Sequence, residues 1–175
     1  MTPERQLMGD DLTGEDLFDP AIRGSIRVLV ESEVAGTAAA AFAERHARNA
    51  QEREIWAALR ELEEQTRIAV YDQLGGAAAR FATTERLASM VGPASGAAVT
   101  VLPHRLQMRS LVIATKPFMR HFRKLDAHFA NSSRAAFFSY VLAHEVAIAE
   151  LGRRVLAHDG NPLAPVEALL GNVPT

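Results

Sequence analysis

Residues 31–45, ESEVAGTAAAAFAER, and 54–66, EIWAALRELEEQT, decide the fold. Apolar positions recur in both at spacings of three and four, the period of an amphipathic helix. The first stretch belongs to a run from about Ile22 to Ala47 with the stripe Ile26, Val30, Glu33, Thr37 and Ala41. The second belongs to a run from about Gln51 to Leu74 with Trp56, Leu59, Glu63, Thr66 and Val70 on one face. A break at Asn49 separates the runs, and Gly75-Gly76 ends the second. Two long helices joined this tightly form an antiparallel hairpin.

The C-terminal half repeats the arrangement. A third helical run covers about His104 to Phe129, with Phe118, Phe122, Leu125 and Phe129 on one face. Pro117 lies in its middle and is expected to kink the helix or split it. Asn131-Ser132-Ser133 reads as an N-cap cluster for a last helix from about Arg134 to Ala157. Residues 77–103 are a long connection with Gly92, Pro93 and Gly96. Pro165 to Leu170 adds at most a turn. The expected organisation is an acidic lead-in at 1–20, a helical bundle at 21–158 and a tail at 159–175. Two antiparallel hairpins joined by one long crossover make an all-α four-helix bundle.

Composition agrees. With 48% apolar and 23% charged residues the chain is of ordinary globular character, and 175 residues bury a sizeable core. Its 31 alanines, against one tryptophan and two tyrosines, favour close-packed helices. Zero cysteines exclude disulfides, thiol chemistry, iron–sulfur clusters and cysteine zinc sites. A net charge of −2 is not that of a nucleic-acid binder. No apolar run reaches 18 residues and the N-terminus is acidic, so no membrane span or signal peptide is expected, and the expected compartment is the cytoplasm.

Glutamates interrupt the apolar stripes. Glu33 and Glu63 do so in the first hairpin. Glu145 does so in Phe138–Val141–Glu145–Ile148–Gly152, with His144 beside it. A buried carboxylate costs several kcal/mol unless it is paired, neutralised or bound to a metal. Glu33 precedes Asn49 by 16 residues and Glu63 follows it by 14. At a rise of 1.5 Å per residue the two fall within about 3 Å of one level. Inward oxygen ligands from different helices at one level suit a metal ion.

In these two hairpin segments, and in FFSYVLAHEVAIAEL at 137–151, the chain resembles the ferritin-like superfamily, rubrerythrin-like members most of all. The resemblance covers about half the chain. It implies a ferritin-like four-helix bundle, iron or another divalent metal held by carboxylates, and an oxidoreductase-like activity. The family pattern places a Glu on the first helix, Glu-x-x-His on the second, a Glu on the third and Glu-x-x-His on the fourth. Here Glu33 fills the first place, the second reads Glu63-x-x-Thr66, and the fourth reads His144-Glu145-x-x-Ile148. Between Glu85 and Asp126 no acid occurs, so the third helix supplies no ligand. The candidate metal ligands are therefore Glu33, Glu63, Glu145 and His144. The alternative is a metal-free bundle that binds a protein partner or an apolar small molecule, its carboxylates bonded to one another, to Thr37, Thr66 or Tyr140, or to an inward arginine.

Residues 104–124 carry six basic side chains and two histidines without an acid. The acidic lead-in and the glutamates Glu52, Glu54, Glu61 and Glu64 are expected to neutralise them, within the chain or across a homodimer. That basic helix also carries Phe118, Phe122 and Phe129, which are expected to pack within the bundle or against a second copy. His121 and His128 share a face but read as surface. Trp56 reads as a core anchor.

Overall fold

A computed structural model describes residues 19–75 and 101–174. The lead-in before Asp19 and most of the long connection lie outside the described residues. Within them the protein is all-helical, with no strand. Four long helices, α1 (Arg23–Arg45), α2 (Ala50–Leu74), α3 (His104–Phe129) and α4 (Ala135–Leu156), are followed by one short turn of helix, α5 (Ala164–Glu167).

The α1–α2 turn is built around Asn49, whose side chain accepts from the Glu52 backbone N–H at 2.8 Å. Glu52 reaches back to accept from the Arg48 N–H at 3.0 Å, satisfying a second donor at the helix start. Glu52 is thus buried in a cap and is not free to neutralise the basic helix. Glu64 is likewise engaged, in a bond from Arg67 at 2.7 Å.

Pro117 does not split α3, which runs unbroken from His104 to Phe129. The proline denies the carbonyl of Ile113 its helical partner. Ile113 is 62% exposed, so the lost bond lies on the solvent side of the helix. The N-cap cluster also behaves differently from expectation. Ser132 donates to the Phe129 carbonyl at 2.8 Å and accepts from the Arg134 N–H, closing the turn, while α4 starts after Arg134 without a side-chain cap.

Two apolar clusters fill the interior, one toward each end. The first joins Ile22, Ile26 and Leu29 at the start of α1 to Val70 and Leu74 at the end of α2, Phe122 and Phe129 late in α3, and Phe138 early in α4. The second joins Ala43 at the end of α1 to Ile55 and Trp56 early in α2, Met108 early in α3, and Leu151 late in α4. By these partners α1 and α4 run one way, and α2 and α3 run the other. Each hairpin is packed extensively, and α1 also lies against α3.

Phe122 and Phe129 are buried, and Phe129 stacks on Phe138 with ring centroids 4.2 Å apart. The aromatic stripe of α3 is therefore spent inside the bundle, and it no longer argues for a second copy. α4 is the one described helix long and apolar enough to cross a membrane, but 61% of that window is buried inside the protein. That burial is what a core helix shows. The C-terminal segment is strapped to α2 by Gln65, whose amide donates to the Leu169 carbonyl at 3.0 Å and accepts from the Gly171 N–H at 2.6 Å.

α3 and α4 approach closely at Gly152. A Cβ there would meet Val112 Cγ2 at 2.7 Å and the Met108 carbonyl at 3.2 Å. Backbone and a stiff β-branched side chain yield poorly. Gly152→Ala is expected to destabilise the protein by about 1–2 kcal/mol, overpacking outweighing the better helix propensity of alanine. Urea denaturation followed by circular dichroism checks this.

Candidate metal centre

Glutamates from the α1 and α2 stripes and a histidine from α4 meet between the two apolar clusters. α1 presents Glu33 one turn past Val30, α2 presents Glu63 one position past Leu62, and α4 presents His144 three positions past Val141. Glu33 and His144 are each 1% exposed, Glu145 5%, and the Glu63 side chain 13%. Neither charge nor an unpaired imidazole belongs at such depth without a partner.

His144 is flanked on both sides. Its Nδ1 lies 3.8 Å from Glu33 Oε1 and its Nε2 lies 3.9 Å from Glu63 Oε2. One ligand atom from each of the three residues lies within 4.8 Å of the others. Both His144–carboxylate separations are too long for hydrogen bonds, and each is short enough for an ion to be shared by its two atoms. Glu33 Oε2 and both ring nitrogens of His144 are buried with no hydrogen-bond partner. Orphaned buried groups of this kind cost about 1–3 kcal/mol each.

The hydroxyls that sequence offered as partners are engaged elsewhere. Thr37 donates to the Glu33 backbone carbonyl at 2.8 Å, not to its carboxylate. Thr66 donates to the Leu62 carbonyl at 2.9 Å and lies 3.1 Å from the Tyr140 hydroxyl. The charges acting on Glu33 are those of the other carboxylates.

Electrostatics follow from this seclusion. Burial pushes the Glu33 carboxyl well above the ordinary range, and the nearby charges of Glu63 and Glu145 push it further. Glu63 is raised by burial and then by Glu145. Burial raises Glu145 to about 8 and lowers His144 to about 3. Without a cation the cluster is held as carboxylic acids around a neutral imidazole. A divalent cation reverses the preference, since it favours ionised oxygens and a neutral ring nitrogen.

Glu145 lies outside the group of three. It lines the same cavity and raises the other two carboxyls, so it is close in electrostatic terms. Neighbours on a helix diverge by about 100°, so His144 and Glu145 do not point at one spot. α3 brings no acid to the cavity, its one acid, Asp126, accepting from the Ser139 hydroxyl elsewhere; Gln107, Leu111, Thr115 and Phe118 line the cavity from its side.

Gly36 was not singled out by sequence reasoning and is part of the site. It lies three residues after Glu33, and a Cβ there would collide with the Glu63 carboxylate, meeting Oε1 at 2.7 Å and Cδ at 2.6 Å. A Cβ here would oblige the Glu63 carboxylate to move from the position it holds. The available signal was a lone glycine inside an alanine-rich helix, at an entropic cost of about 1 kcal/mol against alanine. Trp56 is buried as expected and also borders the cavity. His121 and His128 belong to no such group: His121 lies 3.2 Å from Ser25 Oγ, and His128 is at the surface, 3.8 Å from Asp19.

Fold and site together define an all-helical protein with a buried carboxylate–histidine cluster. No protein-family model, curated protein or solved structure matches this chain.

Proposed function

We propose that the protein is an oxidoreductase-like member of the ferritin-like superfamily that holds a single divalent metal ion, iron(II) first, through Glu33, Glu63 and His144. Glu145 serves as a fourth ligand or as a charge partner beside them. The observation that carries this reading is the convergence of three ligand atoms from three helices, two of the residues bearing buried atoms with no partner. Gly36 gives further support, because the absence of a Cβ there lets the Glu63 carboxylate lie against α1. Helix directions, with α1 and α4 opposed to α2 and α3, are consistent with a ferritin-like bundle.

The ligand set argues for one ion rather than two. Oxygen and imidazole donors suit iron(II) or manganese(II). A second ion would need an acid that α3 does not supply at the cluster, and the histidines replaced by Thr66 and Ile148. Glu33, Glu63 and His144 would each offer the ion one atom, and the second ring nitrogen of His144 would be left facing a carboxylate that can also accept its proton. Bound iron would supply one-electron and oxygen chemistry.

The test is metal content of protein purified without chelator, followed by anaerobic calorimetry with Fe(II) and with Mn(II). A single ion per chain is expected, lost in Glu63→Ala and His144→Ala. Metal-free protein that also fails to bind either ion sinks the reading. The alternative of a metal-free bundle with an apolar ligand is favoured by the cavity beside the cluster.

A further inference from the structure

We infer that the acidic lead-in docks on the outward face of α3, its carboxylates from Asp10 to Asp16 pairing with the basic side chains from Arg109 to Lys124. The occupant of that face is a segment of this chain rather than a second molecule, and the inference is independent of the metal reading.

Arg109, Lys116, Arg120, Arg123 and Lys124 are all exposed, and helical spacing sets them on the side of α3 turned away from Met108, Phe122 and Leu125. Among the described residues no carboxylate pairs with any of the five. The acids of the helices packed against α3 are engaged: Glu31 with Arg27, Glu44 with Arg60, and Glu150 with Arg153 and Arg154. Asp126, on α3 itself, accepts from Ser139. α2, which carries the exposed Glu54 and Glu61, packs chiefly on α1, α4 and α5. A stripe of like charge left in this way favours an anionic occupant. Ile113, 62% exposed in the same stripe, adds an apolar contact for it.

The point where the chain enters the bundle selects the lead-in. The Asp19 carbonyl accepts from the N–H groups of Ile22 and Arg23, and the Asp19 carboxylate lies 3.8 Å from His128, near the end of α3. The lead-in is thus tethered at one end of the basic stripe. Residues 1–18 hold Glu4, Asp10, Asp11, Glu15 and Asp16 against Arg5 alone. Extended at about 3.3 Å per residue, Asp16 reaches about 10 Å from Asp19 and Asp10 about 30 Å. At about 1.5 Å per residue along the helix, Lys124 lies about 6 Å and Arg109 about 28 Å from His128. The same arithmetic sets Leu12, about 23 Å out, level with Ile113, about 22 Å along. Charged and apolar residues therefore match in one register. The covalent link adds an effective concentration of about millimolar, an advantage that an untethered anion lacks.

Lys116 and Lys124 are the only lysines in the chain, and both lie in the stripe, so amine chemistry reads it directly. Carbodiimide joins a lysine to a carboxylate in contact with it. In dilute full-length protein at low salt, Lys124 is expected to couple to Glu15 or Asp16 and Lys116 to Asp10 or Asp11, within one chain. About 0.5 M NaCl is expected to lower the yield about threefold or more. Absence of coupling to the lead-in, coupling between chains, or equal coupling of both lysines to every lead-in acid overturns the inference. Acetylation gives a second readout. With Asp10→Asn, Asp11→Asn, Glu15→Gln and Asp16→Asn combined, both lysines are expected to acetylate about threefold or more faster than in wild type at low salt. A control with the same charge change elsewhere, Glu54→Gln, Glu61→Gln, Asp72→Asn and Glu167→Gln combined, is expected to match wild type. Equal rates in the two variants overturn the inference. Saturable binding of wild type to phosphatidylglycerol vesicles, as tight as that of the lead-in variant, also overturns it, since the face is then open to a membrane surface.

Discussion

Chelator-treated protein is expected to lose stability steeply between pH 6.5 and 8, and a bound divalent ion is expected to remove most of that loss. Glu145 is the clearest contributor, with its carboxyl raised from 4.5 to about 8 by burial. Between those values the folded chain keeps a proton that the unfolded chain has released. Its stabilising contribution is therefore complete below 4.5 and is lost as pH rises through about 8. At about 1.4 kcal/mol per unit, the interval from 6.5 to 8 costs about 2 kcal/mol from this group alone. Glu33 and Glu63 are raised as well and act in the same direction.

His144 works in the opposite sense. Its imidazole is lowered from 6.5 to about 3, so its contribution is complete above 6.5 and is lost as pH falls toward 3. The metal-free protein should thus be most stable in weakly acidic solution. For a chain of this size about 2 kcal/mol corresponds to a fall in Tm of several degrees. Metal binding needs ionised ligands and strengthens with pH, so the loaded protein should show a flat or rising profile over the same interval. Differential scanning calorimetry with chelator and with Mn(II) checks both limbs. A flat profile for the metal-free protein would mean that the carboxyls are solvated in solution.

Glu33→Gln is expected to change stability in opposite directions with and without metal. In chelated protein at pH 8 the amide removes a carboxyl that burial and two neighbouring carboxylates hold away from ionisation. A gain of about 1–3 kcal/mol is expected there, since the amide need not hold, in the folded state, a proton that the unfolded carboxyl releases. At pH 5 the carboxyl is already protonated and the gain should nearly vanish. With Mn(II) at a hundred times its Kd, wild type should gain about 2.7 kcal/mol by linkage, and the variant should gain little. Paired melts with and without the ion measure the reversal. If Glu33→Gln destabilises the chelated protein at pH 8, the carboxylate has a structural partner and the cluster is not poised for a cation.

Much of the site was legible because helical periodicity encodes two coordinates of each residue, its face and its height. Those two coordinates identified Glu33, Glu63 and Glu145 as inward, and the count from Asn49 set the first two at one level. The lack of any acid between Glu85 and Asp126 was equally plain, and the structure places Gln107 and Thr115 at the cavity instead. Capping was less legible, because Glu52 and Ser132 serve either a helix end or the surface according to how the turn closes.

Helix existence, the hairpin partners and the inward carboxylates follow from residue order, because periodicity and turn residues are local properties. Distance and rotation between helices are not local, and tertiary packing decided them. It selected His144 over Glu145 for the space between Glu33 and Glu63, since neighbouring positions point about 100° apart and only one was turned that way. It buried Phe122 and Phe129 against α4 rather than leaving them for a second copy. It set the Glu63 carboxylate against Gly36 by bringing α1 and α2 close at that level, and it left a cavity where α1 and α3 stand further apart. Alanine-rich faces allow helices many approaches of similar energy, so the rest of the side chains had to choose one.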